Sequence, residues 1–422
     1  MTARRLAVAA VGLALFSAAA APPARGQSEE KKPAFGISLS GFVKTDIFYD
    51  TRQNVSIREG HFLLYPKGPL LDPDGDDIND RDSFNILSIQ TRIAGRITGP
   101  DALGAKTSAY IEGEFFGSSD ADLNGFRLRH AYLRLSWPRS ELTVGQFWHP
   151  MFLVESFPEV VSFNTGAPFQ PFNRSPQVRF TQAFGKMSLT ATALSQRDFA
   201  STGPEGPSSV YLRNAALPEF NLKLQYAARN DARKTETAAG LGADVMKIAP
   251  RIVTAAGYET DESLTGLAAM AFFKQKWPQW TWKAEAIWGQ NLHHLTMLGG
   301  YAVRDVLDPV RLDWSYTPIE TISLWTEIMT NGTAWQAGLF AGYSKNLGSS
   351  HEITGATYGR GGDIDELYRL SPRLVYNTGK MRFVGEVELT AASYGTPDAF
   401  GKVLDAGYVR NVRLLLAAYY FF

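Results

Sequence analysis

The chain has 422 residues, 42 basic and 42 acidic, and its zero net charge gives no electrostatic argument for a nucleic-acid partner. It contains no cysteine, which excludes disulfides, thiolate metal sites, cysteine catalysis and lipoprotein anchoring. A mean hydropathy of -0.16 is too polar for a bundle of membrane helices and suits segments that are apolar on one face only.

Arg4 and Arg5 precede an apolar run from Leu6 to Ala21, which Pro22 and Pro23 end. At 16 residues the run is shorter than the roughly 20 that a spanning helix needs. Ala24-Arg25-Gly26 then supplies small residues around a cleavage site. The expectation is a secretory signal peptide over 1–26, cleaved before Gln27, with cleavage after Ala21 as the alternative. Residues 27–35 would be a short periplasmic lead. Residues 36–422 carry no Pro/Ser linker, low-complexity tract or solenoid repeat, and are expected to form a single β-barrel domain.

From Gly36 onward the hydrophobic period is two. Met187, Leu189, Ala191 and Ala193 alternate with Ser188, Thr190 and Thr192, and Phe220, Leu222, Leu224 and Tyr226 with Asn221, Lys223 and Gln225. Trp282 to Trp288 and Phe383 to Leu389 repeat the pattern. Such alternation specifies strands with one apolar and one polar face. In chain order the strands read Gly36–Asp50, Ser83–Thr98, Ala105–Gly117, Phe126–Trp137, Glu141–Phe147 and Gln177–Phe184. Met187–Gln196, Glu219–Ala227, Thr235–Ile248, Ser263–Lys276 and Gln279–Gln290 follow. The last are Thr321–Thr330, Ala334–Leu347, Glu366–Asn377, Met381–Tyr394 and Gly407–Phe422. That is about sixteen strands. Arg311–Thr317 and His351–Gly359 would make eighteen, but read better as parts of long outer loops, which leaves Asn331-Gly332-Thr333 as a periplasmic turn. Pro372 interrupts the scheme, because a closed barrel has no edge to excuse its missing N–H; a bulge or a later strand start is expected there.

Three features favour a transmembrane antiparallel barrel over a secreted sandwich. Connections alternate short (Phe184-Gly185-Lys186, Trp277-Pro278-Gln279, Asn377 to Lys380) and long (Thr51 to Asp82, Arg197 to Pro218), as periplasmic turns and outer loops do. Aromatic pairs at strand ends, Trp277/Trp280, Trp314/Tyr316 and Tyr419/Tyr420, suit interfacial girdles. The chain stops inside a strand with Val412, Leu414, Leu416, Ala418, Tyr420 and Phe422 on one face. In a soluble strand such an end invites aggregation; in a barrel, Tyr420 and Phe422 are expected to be the signal that assembly machinery reads.

The long segment Trp148 to Pro176, after the fifth strand, is expected to fold inward as a constriction loop carrying Glu155 and Glu159. Strand phase places Arg92, Arg96, Arg134 and Arg179, with Glu112 and Glu114, on the lumenal face. Acidic loop residues opposite a basic wall would create a transverse field, or would simply brace the loop. Arg127 and Arg129 share the phase of lipid-facing Ala131, Leu133 and Leu135, so they are expected above the membrane or across a bulge. Asp72, Asp74, Asp76 and Asp80 form a closely spaced acidic set with Gly75. Ca²⁺ could be held there, although Asp77 and the missing closing glutamate make a solvated loop the better reading. The six histidines, His293-His294 among them, accompany no hydrolase, zincin or P-loop pattern, and no cofactor is expected.

Gly41 to Asp46, Phe84-Asn85, Gln90-Thr91-Arg92, Tyr110 to Gly117, Leu128 to Tyr132 and Gly145 to Trp148 together resemble the DcaP-like trimeric porins. The resemblance extends to about Phe180. It implies a sixteen-stranded homotrimeric outer-membrane channel for passive uptake of small polar solutes, often anionic, and a lumenal role for Arg92, Glu112, Glu114 and Arg129. The family's long amino-terminal coiled coil is missing here, so trimerisation would rest on barrel walls in outer-membrane lipid. The alternatives are a barrel enzyme acting on lipid, built on a cross-strand Ser–His pair, and a closed structural barrel.

Overall fold

The computed structural model describes residues 35–422. The expected signal peptide (1–26) and all of the lead except Phe35 lie outside the described residues.

The first strand, β1 (Gly36–Asp50), ends at loop L1 (51–82), which contains the hairpin β2 (Asn54–Ile57) and β3 (Phe62–Pro66). The second wall strand is split into β4 (Ser83–Leu87) and β5 (Arg92–Thr98), both paired with β1. Next come β6 (Lys106–Glu114), β7 (Arg127–Ser136), β8 (Ser140–Trp148), β9 (Arg174–Phe184) and β10 (Met187–Leu194). They are followed by β11 (Glu219–Asn230), β12 (Thr235–Ile248), β13 (Leu264–Lys276) and β14 (Trp280–Gln290). The remainder is β15 (Gly299–Asp308), β16 (Asp313–Thr330), β17 (Trp335–Gly348), β18 (Thr357–Arg360), β19 (Ile364–Thr378), β20 (Met381–Pro397) and β21 (Val403–Phe421).

Neighbours pair antiparallel in chain order, and β21 closes on β1 from Phe42↔Phe421 to Asp50↔Arg413. With β4 and β5 counted as one, the wall is a closed barrel of 16 strands. Closure leaves no unpaired edge in hydrocarbon, where each unsatisfied backbone group costs several kcal/mol. The two doubtful segments lie outside the wall count, as expected. Arg311–Thr317 overlaps the outer extension of β16, and His351–Gly359 runs into β18, with β15 pairing to both.

Alternation dictates what each face meets. Along β21, Leu414, Leu416 and Tyr420 are exposed on the outside, while Arg413, Leu415 and Ala417 are buried inside. Leu39, Leu222, Leu241, Ile328 and Leu374 extend the apolar exterior around the wall. Trp280, Trp335, Phe383 and Tyr420 lie toward the short-turn end of this face. Three of the expected girdle residues are elsewhere. Tyr316 is buried against Tyr301, with Trp314 beside it, in an outer-loop cluster. Tyr419 takes the opposite phase to Tyr420 and packs on Phe42 and Lys44 in the lumen.

Pro372 needs neither a bulge nor a later start. It sits inside β19 opposite Leu339 of β17. Toward β20 the ladder skips from Leu370↔Leu389 to Arg373↔Glu386 without a register change, so the missing donor costs a local gap only.

Candidate functional site

The strands β8 and β9 pair to their outer ends, Trp148↔Arg174, and His149 N–H donates to the Asn173 carbonyl at 3.0 Å. Loop L3 (149–173) therefore leaves and re-enters the wall at one point and folds into the lumen. Its Phe152, Phe163, Phe169 and Phe172 are buried with Phe62 and Leu64 of L1 and with Phe116. Phe163 stacks on Phe116 at 4.2 Å between centroids. Phe169 lies against Gly342 of β17, where a Cβ would come within 2.5 Å of its ring.

An irregular backbone shielded from water must find polar partners, and the polar lumenal face supplies them. Glu386 accepts from Val161 N–H at 2.7 Å and Ser162 N–H at 3.1 Å. Glu327 accepts from Glu159 N–H at 2.9 Å, and Glu388 from Asn164 Nδ2 at 2.8 Å. Lys44 Nζ donates to the Val161 carbonyl at 2.8 Å, and Arg369 to that of Ala167 at 2.9 Å. Residues on β1, β16, β19 and β20 thus hold the loop from several sides.

Glu155 and Glu159 reach the wall as ion pairs. Lys223 of β11 lies 2.6 Å from Glu155, and Lys283 of β14 lies 2.8 Å from Glu159. Burial alone would raise both carboxyls, but the paired ammonium groups outweigh it and hold them below the usual glutamate range. These tethers are therefore complete at and above that range, and are lost only as pH falls through the lowered values. Their direct partners are lysines, not the arginines expected from strand phase.

The arginines gather on the opposite wall, β5 to β9. Glu114, fully buried, is contacted by Arg92 at 3.3 Å, Arg127 at 2.7 Å, Arg129 at 2.6 Å and Arg174 at 3.8 Å. Glu112 pairs with Arg129 at 2.6 Å. Asp198, from loop L4 (195–218), takes Arg127 at 3.0 Å and Arg174 at 2.5 Å. A bulge places Arg129: the β6–β7 register shifts between Glu112↔His130 and Gly113↔Leu128. The extra residue returns Arg127 and Arg129 to the lumenal face, which resolves their phase conflict. Arg134 pairs with Glu141 at 3.2 Å, Arg179 donates to the Trp148 carbonyl at 2.7 Å, and Arg96 is exposed.

Exposure divides the lumen. Ser323, Ser344, Ser371, Thr390 and Asn411, on β16 to β21, are fully buried. Across from them, the side chains of Arg92 and Arg134 keep 22% and 29% of their surface. The loop carboxylates Glu155 and Glu159 keep 29% and 48%, so free lumenal surface is shared between part of the arginine wall and the loop's acidic side chains.

The acidic set in L1 does not converge into a coordination shell. Asp72 Oδ1 accepts from Asp74 and Asp76 N–H, both at 2.9 Å, while Asp77 and Asp80 pair with Arg52. Those carboxylates fold the loop on itself. Strand phase missed Arg174, Asp198, Lys223 and Lys283 as partners; the last two were legible as polar positions in alternating strands, but Asp198, in a loop, carried no signal.

No family model matches the sequence, and no curated protein is similar to it by sequence. Solved structures do resemble it. The outer-membrane channel DcaP of Acinetobacter baumannii superposes over 95% of this chain and 100% of its own, at a TM-score of 0.68 and 18% identity. The trimer form of the outer-membrane protein OmpT of Vibrio cholerae gives 0.53 over 92% of this chain and 100% of its own, at 11% identity. An anion-selective porin from Comamonas acidovorans gives 0.52, again over 92% and 100%, at 12% identity. These likenesses establish the sixteen-stranded barrel fold.

Proposed function

We propose that this chain is an outer-membrane porin, a passive diffusion channel for small polar solutes, and not an enzyme. The observation that carries the reading is a lumen narrowed by L3 beside a partly exposed arginine wall, inside a barrel whose exterior is apolar. Such an exterior requires lipid around it. Preorganised guanidinium groups along the open side favour anions, and the barrel's likeness to an anion-selective porin supports that preference. In planar bilayers the refolded protein should show ohmic conductance; a silent bilayer with folded protein would sink the proposal. Assembly as a homotrimer is part of the reading, supported by likeness to a trimeric barrel, and predicts conductance steps in threes.

The constriction roles of Arg92, Arg96, Glu112, Glu114, Arg134, Glu155, Glu159 and Arg179 are open to direct measurement. Replacing both Glu155 and Glu159 with Gln removes two negative charges from the loop and the ion-pair partner of Lys223, while Lys283 keeps Glu327 at 3.3 Å. The reversal potential in a salt gradient should then shift toward anions. An unchanged potential would place both carboxylates outside the conducting path.

A closed structural barrel is the second reading, favoured by how much of the lumen L1 and L3 bury. Liposome swelling by small sugars separates the two.

The carboxy terminus is proposed as the assembly signal, with Tyr420 and Phe422 read by barrel assembly machinery. Phe422 exchanges backbone hydrogen bonds with Gly41 at 3.1 and 3.2 Å, and its ring is half exposed on the lipid side. Deleting it removes at most about 1.5–3 kcal/mol of apolar burial, against the whole β1–β21 ladder. Surface levels in cells should therefore fall much further than stability after refolding in detergent. Normal surface levels would leave Phe422 an ordinary girdle residue.

A further inference from the structure

Three side chains from separate parts of the fold meet where L3 departs from the wall. They are His149 at the start of L3, Glu219 at the outer end of β11, and His294 in a short 3-10 turn, Leu292–Leu295, after β14. His149 Nε2 lies 2.8 Å and His294 Nε2 3.0 Å from the same oxygen, Glu219 Oε1. The rings cross at 73° with centroids 5.9 Å apart. All three are buried, their ligand atoms within 4.8 Å of one another, the one such convergence of His and carboxylate groups among the described residues.

The polar accounting is incomplete. Glu219 Oε2 and His294 Nδ1 are buried with no hydrogen-bond partner. No lysine or arginine ion-pairs with Glu219 among the described residues; its ion-pair contacts are the two imidazoles. The Asp244 carboxyl lies close enough to Glu219 to interact with it electrostatically, and Asn221 Nδ2 donates to Asp244 at 3.0 Å. Two buried carboxyls in contact need a proton or a cation between them.

We infer that His149, Glu219 and His294 form a divalent-cation site, of the kind that takes Zn²⁺, which pins the root of L3 to β11 and to the loop after β14. Two imidazoles and a carboxylate are a donor set suited to zinc, whose tetrahedral ligands stand about 3.2–3.5 Å apart. The two separations from Glu219 Oε1, 2.8 and 3.0 Å, fall a few tenths of an ångström short of that range, and the two imidazole nitrogens lie within 4.8 Å of each other. Two neutral imidazoles with two carboxylates, Asp244 included, balance a 2+ charge. Without a cation, Met151 N–H donates to His149 Nδ1 at 3.2 Å, which puts the ring proton on Nε2, facing Glu219. Coordination through Nε2 moves that proton to Nδ1 and releases the Met151 amide, so occupancy changes the first turn of L3.

The test is a Co²⁺ titration of the full refolded barrel in detergent, followed by visible absorption. One Co²⁺ per chain with the intense bands of tetrahedral coordination is expected, displaced by Zn²⁺. Binding should be lost in His294→Ala, which removes a loop side chain outside the barrel ladder, and in Glu219→Gln. Heat-modifiable migration on gels certifies that each protein is folded. Folded wild-type protein that takes up no stoichiometric Co²⁺ would overturn the site and leave a shared proton as the neutralising charge. Equal uptake by wild type and a folded variant would overturn it too. Neither readout depends on conduction.

Discussion

Replacing Glu114 with Ala should lower the barrel's resistance to urea unfolding in detergent by about 3–5 kcal/mol, the cost of breaking a buried ion pair from one side. Four guanidinium groups converge on this carboxylate: Arg92, Arg127, Arg129 and Arg174. Arg129 and Arg174 are essentially inaccessible to water and cannot recover by hydration what they lose. Glu112 and Asp198 each retain part of the cluster, which sets the expected loss at the lower end. Glu114→Gln keeps the shape and one acceptor oxygen but removes the charge, and should fall between wild type and Glu114→Ala. An unchanged unfolding midpoint in Glu114→Ala would mean that water reaches these arginines and that the cluster does not stabilise the wall.

Excising the interior of L3 should raise single-channel conductance several-fold. The excision is geometrically mild. His149 and Asn173 are already joined by a backbone hydrogen bond, and β8–β9 pairing runs to Trp148↔Arg174. A short Asn-Gly turn can therefore close the hairpin in place of residues 151–171. The deletion removes Phe152, Phe163 and Phe169 from the lumen and returns Glu386, Glu388 and Arg369 to water, which solvates them as the loop backbone did. Liposomes carrying the variant should admit larger sugars than those carrying wild type. Conductance that stays at the wild-type value would identify L1, whose Phe62 and Leu64 share the same buried cluster, as the element that limits flow.

Much of this was legible in the residues alone, for a specific reason. A barrel wall repeats one local rule, apolar outward and polar inward, and a period of two survives in any stretch of about eight residues. The alternation of Leu414 and Leu416 with Arg413 and Leu415 therefore placed lipid and lumen without any tertiary knowledge. The contrast between turns such as Phe184-Gly185-Lys186 and loops such as 51–82 oriented the strands. The length and the Pro/aromatic content of Trp148 to Pro176 marked it as the candidate inward loop. What the tertiary structure alone decided involves residues far apart in the chain, or one residue out of phase. A single inserted position at Arg129 reverses a face; the phase conflict of Arg127 and Arg129 offered a bulge as one of two readings, and the β6–β7 register decides for it. Glu155 finds Lys223, Glu219 finds His149 and His294, and Arg174 finds Asp198 because closing the barrel brings strand ends and loops into one small volume. Period two determines which side of the wall a residue faces. Barrel closure and loop insertion determine what stands opposite it, and in a lumen that its own loops enter that partner decides whether a charge lines the path or is buried as a brace.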